Sequence, residues 1–210
     1  MLNPLITPLM IEKYAKRLVD RIKTPALRGV VLTGSFARGE AGPFSDLDVW
    51  CFYNEKVSRK PYFPELTGIS LDLRETCIHD FRAKADGTRE YVAPYFEQLN
   101  VFGETPFILP SHQEIQNGVK KLLFSIEKRL KQLASPNHYE ILNDIMYVLR
   151  IERYFATSQY PLTLSELYTI QFEECERFLV ECFSFYLLGE RTIKEEQMRS
   201  IIELFLDKRL

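Results

Sequence analysis

The stretch that most constrains this chain is Gly34-Ser35, then ten residues, then Asp46-Leu47-Asp48. Apolar runs frame it: Val30-Val31-Leu32-Thr33 leads into the Gly-Ser pair, and Val49-Trp50 follows the acids. That order predicts a strand, a tight turn, a polar loop and a second strand that opens with two carboxylates. Residues two apart on a strand point to the same face. Asp46 and Asp48 are therefore expected side by side, with Leu47 and Val49 turned the other way. Two like charges that close cost energy unless something neutralises them, and a hard divalent cation with oxygen ligands is the usual answer.

A third carboxylate fits the same picture. Gly68-Ile69-Ser70-Leu71-Asp72-Leu73-Arg74 alternates apolar and polar residues, the pattern of a strand buried on one face. Ile69, Leu71 and Leu73 are expected in the core, with Ser70, Asp72 and Arg74 on the opposite face. If this strand lies beside the first acidic one, Asp72 completes a triangle of acids. Three carboxylates on one sheet can hold Mg²⁺ ions and a nucleoside triphosphate, and support in-line displacement at phosphorus.

Gly-Ser, a spacer, Asp-x-Asp and a later strand acid together resemble the polymerase-β-like nucleotidyltransferases. Neither Gly-Ser nor Asp-x-Asp alone would carry that weight; the combination in this order does. A mild departure is Ser35-Phe36-Ala37-Arg38-Gly39, where many members carry other Ser, Ala or Arg variants. The resemblance implies that Asp46, Asp48 and Asp72 are the catalytic and metal-holding residues, and that Gly34, Ser35, Arg38 and Ser45 serve nucleotide binding. It implies Mg²⁺ as cofactor and ATP as nucleotide substrate. Gly34 lets the backbone approach a phosphate without a Cβ, and Ser35 offers a hydroxyl. Arg38 reaches a phosphate oxygen or is an exposed helix arginine. Ser45 supports the turn before Asp46. Asp72 either shares the metal or takes the acceptor's proton.

Composition bounds the rest. The chain has 210 residues, 46% of them hydrophobic, which supports a packed core and excludes a disordered chain. Its formal net charge of −2 argues against a dedicated nucleic-acid binder. Cys51, Cys77, Cys175 and Cys182 form no Cys-x-x-Cys pair, and His79, His112 and His138 form no zinc-type spacing. Met1 to Met10 is apolar but short, with Pro4 and Pro8 and no basic flank, so no signal peptide is expected. No run approaches a membrane span. A cytoplasmic protein is expected, with no membrane partner.

The chain changes character near Pro110. Before it, a helix over Ile11–Ile22, strands near Gly29–Thr33, Asp46–Tyr53 and Gly68–Arg74, a loop over Asn54–Pro64 and a helix near Thr88–Leu99 alternate. Short strand signals follow at Val101–Gly103 and Thr105–Ile108. After it, Gln113–Leu133, Tyr139–Ala156, Leu164–Leu188 and Ile193–Leu210 all show helical spacing of apolar residues. The fold class expected is α+β: a mixed-sheet, polymerase-β-like nucleotidyltransferase domain over 1–110, then a C-terminal α-helical bundle over 111–210 that binds the acceptor.

The helical half carries a second resemblance. Leu149-Arg150-Ile151-Glu152-Arg153-Tyr154-Phe155-Ala156-Thr157, Tyr160-Pro161-Leu162-Thr163 and Phe185-Tyr186-Leu187-Leu188-Gly189 are similar to the helical domain of aminoglycoside adenylyltransferases of the streptomycin/spectinomycin type. Leu71-Asp72-Leu73 followed by Ile78-His79-Asp80 is also similar to that type, which usually has Glu where Asp72 stands. That resemblance implies Mg²⁺-dependent transfer of AMP from ATP to a hydroxyl of a small molecule, with an aminoglycoside as candidate acceptor and antibiotic resistance as the outcome. It also favours Asp72 as the proton acceptor. The acids at Glu173-Glu174-Cys175-Glu176 and Glu181 suit a cationic acceptor or form a solvated face with Arg177; Glu140, Asp144 and Glu152 are further candidates. Two other functions stay open: a protein-AMPylating antitoxin of the minimal nucleotidyltransferase type, and a non-catalytic nucleotide-binding module. The acceptor's identity, the choice of nucleotide and the oligomeric state are not fixed by the sequence.

Overall fold

The computed structural model describes residues 8–41, 45–56, 70–84, 86–132, 137–188 and 194–210. Contacts divide the chain into two compact units, Met1–Ala85 with Pro94–Leu109, and Asp86–Ala93 with Pro110–Leu210.

The first unit is built on a four-stranded sheet. Helix α1 (Pro8–Ile22) precedes strand β1 (Leu27–Thr33), the short helix α2 (Gly34–Ala37), strands β2 (Leu47–Tyr53) and β3 (Leu71–Cys77), and helix α3 (Ile78–Lys84). Strand β4 (Leu99–Gly103) follows helix α4 (Arg89–Phe96), of which residues 89–93 belong to the second unit. The strand order is β3-β2-β1-β4, with β1 antiparallel to both of its neighbours and β2 parallel to β3, so the sheet is mixed.

Strand alternation gives the sheet two distinct faces. Val30, Leu32, Leu47, Val49, Cys51 and Tyr53 point to one of them and pack with Ala15, Leu18, Val19 and Ile22, the apolar stripe of α1. Phe36 of α2 is buried in the same core and pins the turn after β1. On the opposite face Trp50 and Phe52 meet Phe81 of α3 and Phe107. Phe81 stands edge-on to both strand residues, with ring centroids 5.3 and 5.2 Å away, a favoured aromatic geometry.

The second unit is helical. It comprises α5 (His112–Gln132), α6 (His138–Thr157), α7 (Leu164–Tyr168), α8 (Glu174–Leu187) and α9 (Glu195–Asp207), together with residues 86–93. Helix α6 is central: Ile141, Leu142, Ile145, Met146, Val148 and Leu149 are buried against apolar residues of α5, α8 and α9. Cys175 and Cys182 are buried free thiols of α8. Residues 86–88 cross α5 at very close range. A Cβ on Gly118 would lie 1.8 Å from the Gly87 carbonyl oxygen, and a Cβ on Gly87 would lie 1.7 Å from that of Glu114. Glycine is the one residue that fits either position.

Several expected elements move. The strand expected over Gly68–Arg74 runs from Leu71 to Cys77; Gly68 and Ile69, like most of the expected Asn54–Pro64 loop, lie outside the described residues. Thr105–Ile108 forms no strand. Ile78–Lys84, which shows only two buried apolar positions, is a helix. The single helix expected over Leu164–Leu188 is two helices, because each start has its own cap. Thr163 and Glu166 form a capping box before α7, and Glu173 and Glu176 form another before α8. Among the described residues no helix is long and apolar enough to cross a membrane.

Candidate active site

The three sheet strands that carry the motif meet in register. Thr33 of β1 is opposite Asp48 of β2, and Asp48 is opposite Asp72 of β3. The next alternate row is Val31, Trp50 and Arg74. Asp48 and Asp72 therefore share the face that carries Trp50, as alternation predicts. Asp46 is exposed and sits just before β2, one position beyond the last ladder residue Leu47.

Gly34 ties the Gly-Ser turn to this row. Its φ is +70°, in the left-handed region, and a Cβ there would lie 2.2 Å from Oδ2 of Asp48. The missing side chain is what lets the turn close onto the carboxylate. Ser35 follows in the first turn of α2, where backbone N–H groups have no acceptor within the helix. Gly39 separates two effects: its φ is +73°, but nothing lies within 4 Å of the Cβ position. Gly34→Ala is expected to weaken divalent-cation binding about tenfold or more by displacing Asp48. Gly39→Ala, which carries only the backbone strain, is expected to leave it within about twofold; calorimetric titration of both variants with Mn²⁺ distinguishes them.

The electrostatics of the row are unusual. Burial, helped by the charges of Asp46 and Asp72, pushes the Asp48 carboxyl up from 3.8 to about 7, while Arg74 pulls it down. Asp72 itself accepts two hydrogen bonds from Arg74, from Nε at 3.1 Å and from Nη2 at 2.9 Å. The Arg74 guanidinium lies over the Trp50 ring, 5.1 Å from its centroid. A crowded set of carboxylate oxygens with too little positive charge matches what a hard cation requires of its ligands. In the structure as it stands, no three His, Cys, Asp or Glu side chains among the described residues are gathered as metal ligands.

Arg38 has a different environment from an exposed helix arginine. Its guanidinium binds Glu40, at 3.1 Å, and the buried Glu97, and its side chain is only 7% exposed. It joins the end of the Gly-Ser turn to the end of α4. Glu97 is 59 residues away in sequence, so no local signal pointed to it. Ser45 is half-buried next to Asp46.

Five of the acids considered for an acceptor are engaged within the helical unit, while Glu174 and Glu181 are exposed on α8. Asp144 is buried between Arg89 and Arg129. Glu152 accepts from Arg209 Nε at 2.7 Å and Nη2 at 2.8 Å, and Glu176 accepts from the same Nη2 at 2.6 Å. The Arg209 guanidinium also stacks on Phe205, 3.9 Å from the ring centroid. Glu173 pairs with Lys208, and the Glu140 carboxylate accepts from Nδ2 of Asn137, the residue that caps α6. The Glu173–Glu176 run is thus half of an ion-pair network with the end of α9.

A nucleotidyltransferase domain model matches residues 11–134, more than half of the chain. This chain belongs to the nucleotidyltransferase domain family. No curated protein matches it in sequence. Among solved structures, the nucleotidyltransferase resembles the spectinomycin adenyltransferase AAD(9) of Enterococcus faecialis, solved with ATP and spectinomycin. The TM-score is 0.62 at 12% identity, over 93% of this chain and 98% of that one. The likeness establishes a common fold. Looser matches are a toxin-antitoxin with AMP-PNP (TM-score 0.30, 14% identity, 58% of this chain and 91% of that one) and a nucleotidyltransferase-like protein from Exiguobacterium sibiricum 255-15 (0.34, 13%, 94% and 73%).

Proposed function

We propose that this nucleotidyltransferase carries AMP from ATP to a hydroxyl of a small molecule, using Mg²⁺ held by Asp46, Asp48 and Asp72. The observation that supports this reading most is the in-register pairing of Asp48 with Asp72, with Gly34 closed onto the Asp48 carboxylate. Bound there, Mg²⁺ would neutralise the triphosphate and the departing pyrophosphate. Asp46, Asp48 and Asp72 would supply its oxygen ligands. The second oxygen of Asp72, half-exposed on the same face, would take the proton of the acceptor hydroxyl. The N–H groups of the Gly34-Ser35 turn and the Ser35 hydroxyl meet phosphate oxygens. Arg38 holds the end of the Gly-Ser turn through Glu97.

An aminoglycoside is the first acceptor to try, on the strength of the shared fold with AAD(9). Glu173 and Glu176 lend it no support, since they already pair with Lys208 and Arg209. The test is pyrophosphate release with each nucleoside triphosphate against a panel of aminoglycosides. Release is expected with ATP, Mg²⁺ and an acceptor together, and is expected to stop when a chelator removes the metal. A preference for GTP or CTP would refute adenylyl transfer. Release only with a protein acceptor would favour the AMPylating alternative, and none with any acceptor a binding module.

A further inference from the structure

Arg74 is placed by the sheet, not by chance contact. Strand alternation puts it on the face of Asp72, and the parallel ladder sets it across from Trp50 while Asp72 lies across from Asp48. The four residues form a block of two acids beside a cation and its aromatic platform. Trp50 is itself fixed, being 5% exposed and packed edge-on against Phe81 and Phe107. Arg74 has two nitrogens on a single Asp72 oxygen, Oδ2. The Asp72 and Arg74 side chains are each 40% exposed, and an ion pair so open to water holds weakly.

We propose that Arg74 is a built-in stand-in for the divalent cation: a positioning residue that holds Asp72 in the metal-free protein and yields it when the ion enters. The inference rests on the reading of Asp46, Asp48 and Asp72 as a metal site. A guanidinium is a fixed single charge with a planar fork, whereas a small divalent ion carries twice the charge and takes oxygen ligands from several directions. The two compete for the same carboxylate, and their competition sets how much free cation the site needs before it fills. The Trp50 ring then keeps the released guanidinium close to the site.

The test is binding of Mn²⁺ alone, without nucleotide, to wild type, Arg74→Gln, Arg74→Lys and Asp48→Asn. Removing the competing charge should tighten Mn²⁺ binding about five- to tenfold in Arg74→Gln. Arg74→Lys keeps the charge and should stay near wild type. A role confined to stability predicts the reverse order, with the glutamine variant weaker or unchanged, and that result would overturn the proposal. If no protein shows Mn²⁺ binding that Asp48→Asn abolishes, the metal site itself is absent and the proposal falls with it. A measurement on the wild type guards against a variant that folds poorly. The Arg74 Nε–H resonance should shift as Mg²⁺ is added, and an unmoved resonance under saturating Mg²⁺ would show that Asp72 is never released.

Discussion

Asp48→Asn is expected to lower nucleotidyl transfer by about 10²–10³-fold while making the metal-free protein more stable above neutral pH. The two effects have one cause. In the folded protein the Asp48 carboxyl titrates near 7, against 3.8 ordinarily. Between those values the folded state holds a proton that the unfolded chain has released, so stability falls as pH rises through the window. Above about pH 7 the folded protein carries a buried, crowded charge and the whole penalty is present. Asparagine has no charge to bury. The variant should therefore match wild type near pH 4 and gain steadily towards pH 8, by about 1–3 kcal/mol once solvent relaxation is allowed for. Thermal melts across that range read the difference directly. Adding Mg²⁺ should reverse the ranking, because a bound ion stabilises only the protein that can hold it. A variant that melts below wild type at pH 8 without metal would make Asp48 a structural residue.

Gly118→Ala is expected to destabilise the helical unit strongly, against the usual preference of helices for alanine. At an ordinary helix position the change from glycine stabilises by about 1 kcal/mol. Here the added carbon would sit 1.8 Å from the Gly87 carbonyl oxygen and 2.4 Å from its carbon, both backbone atoms that cannot rotate away. Either α5 or residues 86–88 must move, at a cost of about 2–3 kcal/mol or more. Urea denaturation of Gly118→Ala beside Asn117→Ala, an exposed position on the same helix, isolates the effect. Equal midpoints for the two variants would show that the crossing yields easily.

The parts of this site that could be read from the sequence are those governed by short-range rules. Asp48 and Asp72 were placed by the period of two, and Gly34 by its position in the motif. Arg38 shows the limit: its neighbours fit a phosphate-binding arginine and an exposed helix arginine equally, and the carboxylate that buries it, Glu97, lies just beyond α4. Arg74 was legible as a polar residue of its strand, but its grip on Asp72 depends on the Trp50 ring one strand over. The break between α7 and α8 is written in Glu173-x-x-Glu176, a second capping pattern that continuous apolar spacing conceals. The crossing of Gly87 and Gly118 has no local signature at all, since a glycine within an amphipathic helix reads as a minor flaw until its neighbour is known.

The row Thr33, Asp48, Asp72 is bound together by backbone ladders rather than by the loops that join the strands. The position of the chemistry is in that sense inherited from the sheet. Connecting segments can lengthen, shorten or change composition without shifting one acid relative to the other, provided the strands keep their register. Such a scaffold tolerates exchange of peripheral segments, whereas a slip of one residue in β3 would turn Asp72 to the α1 face, away from Asp48.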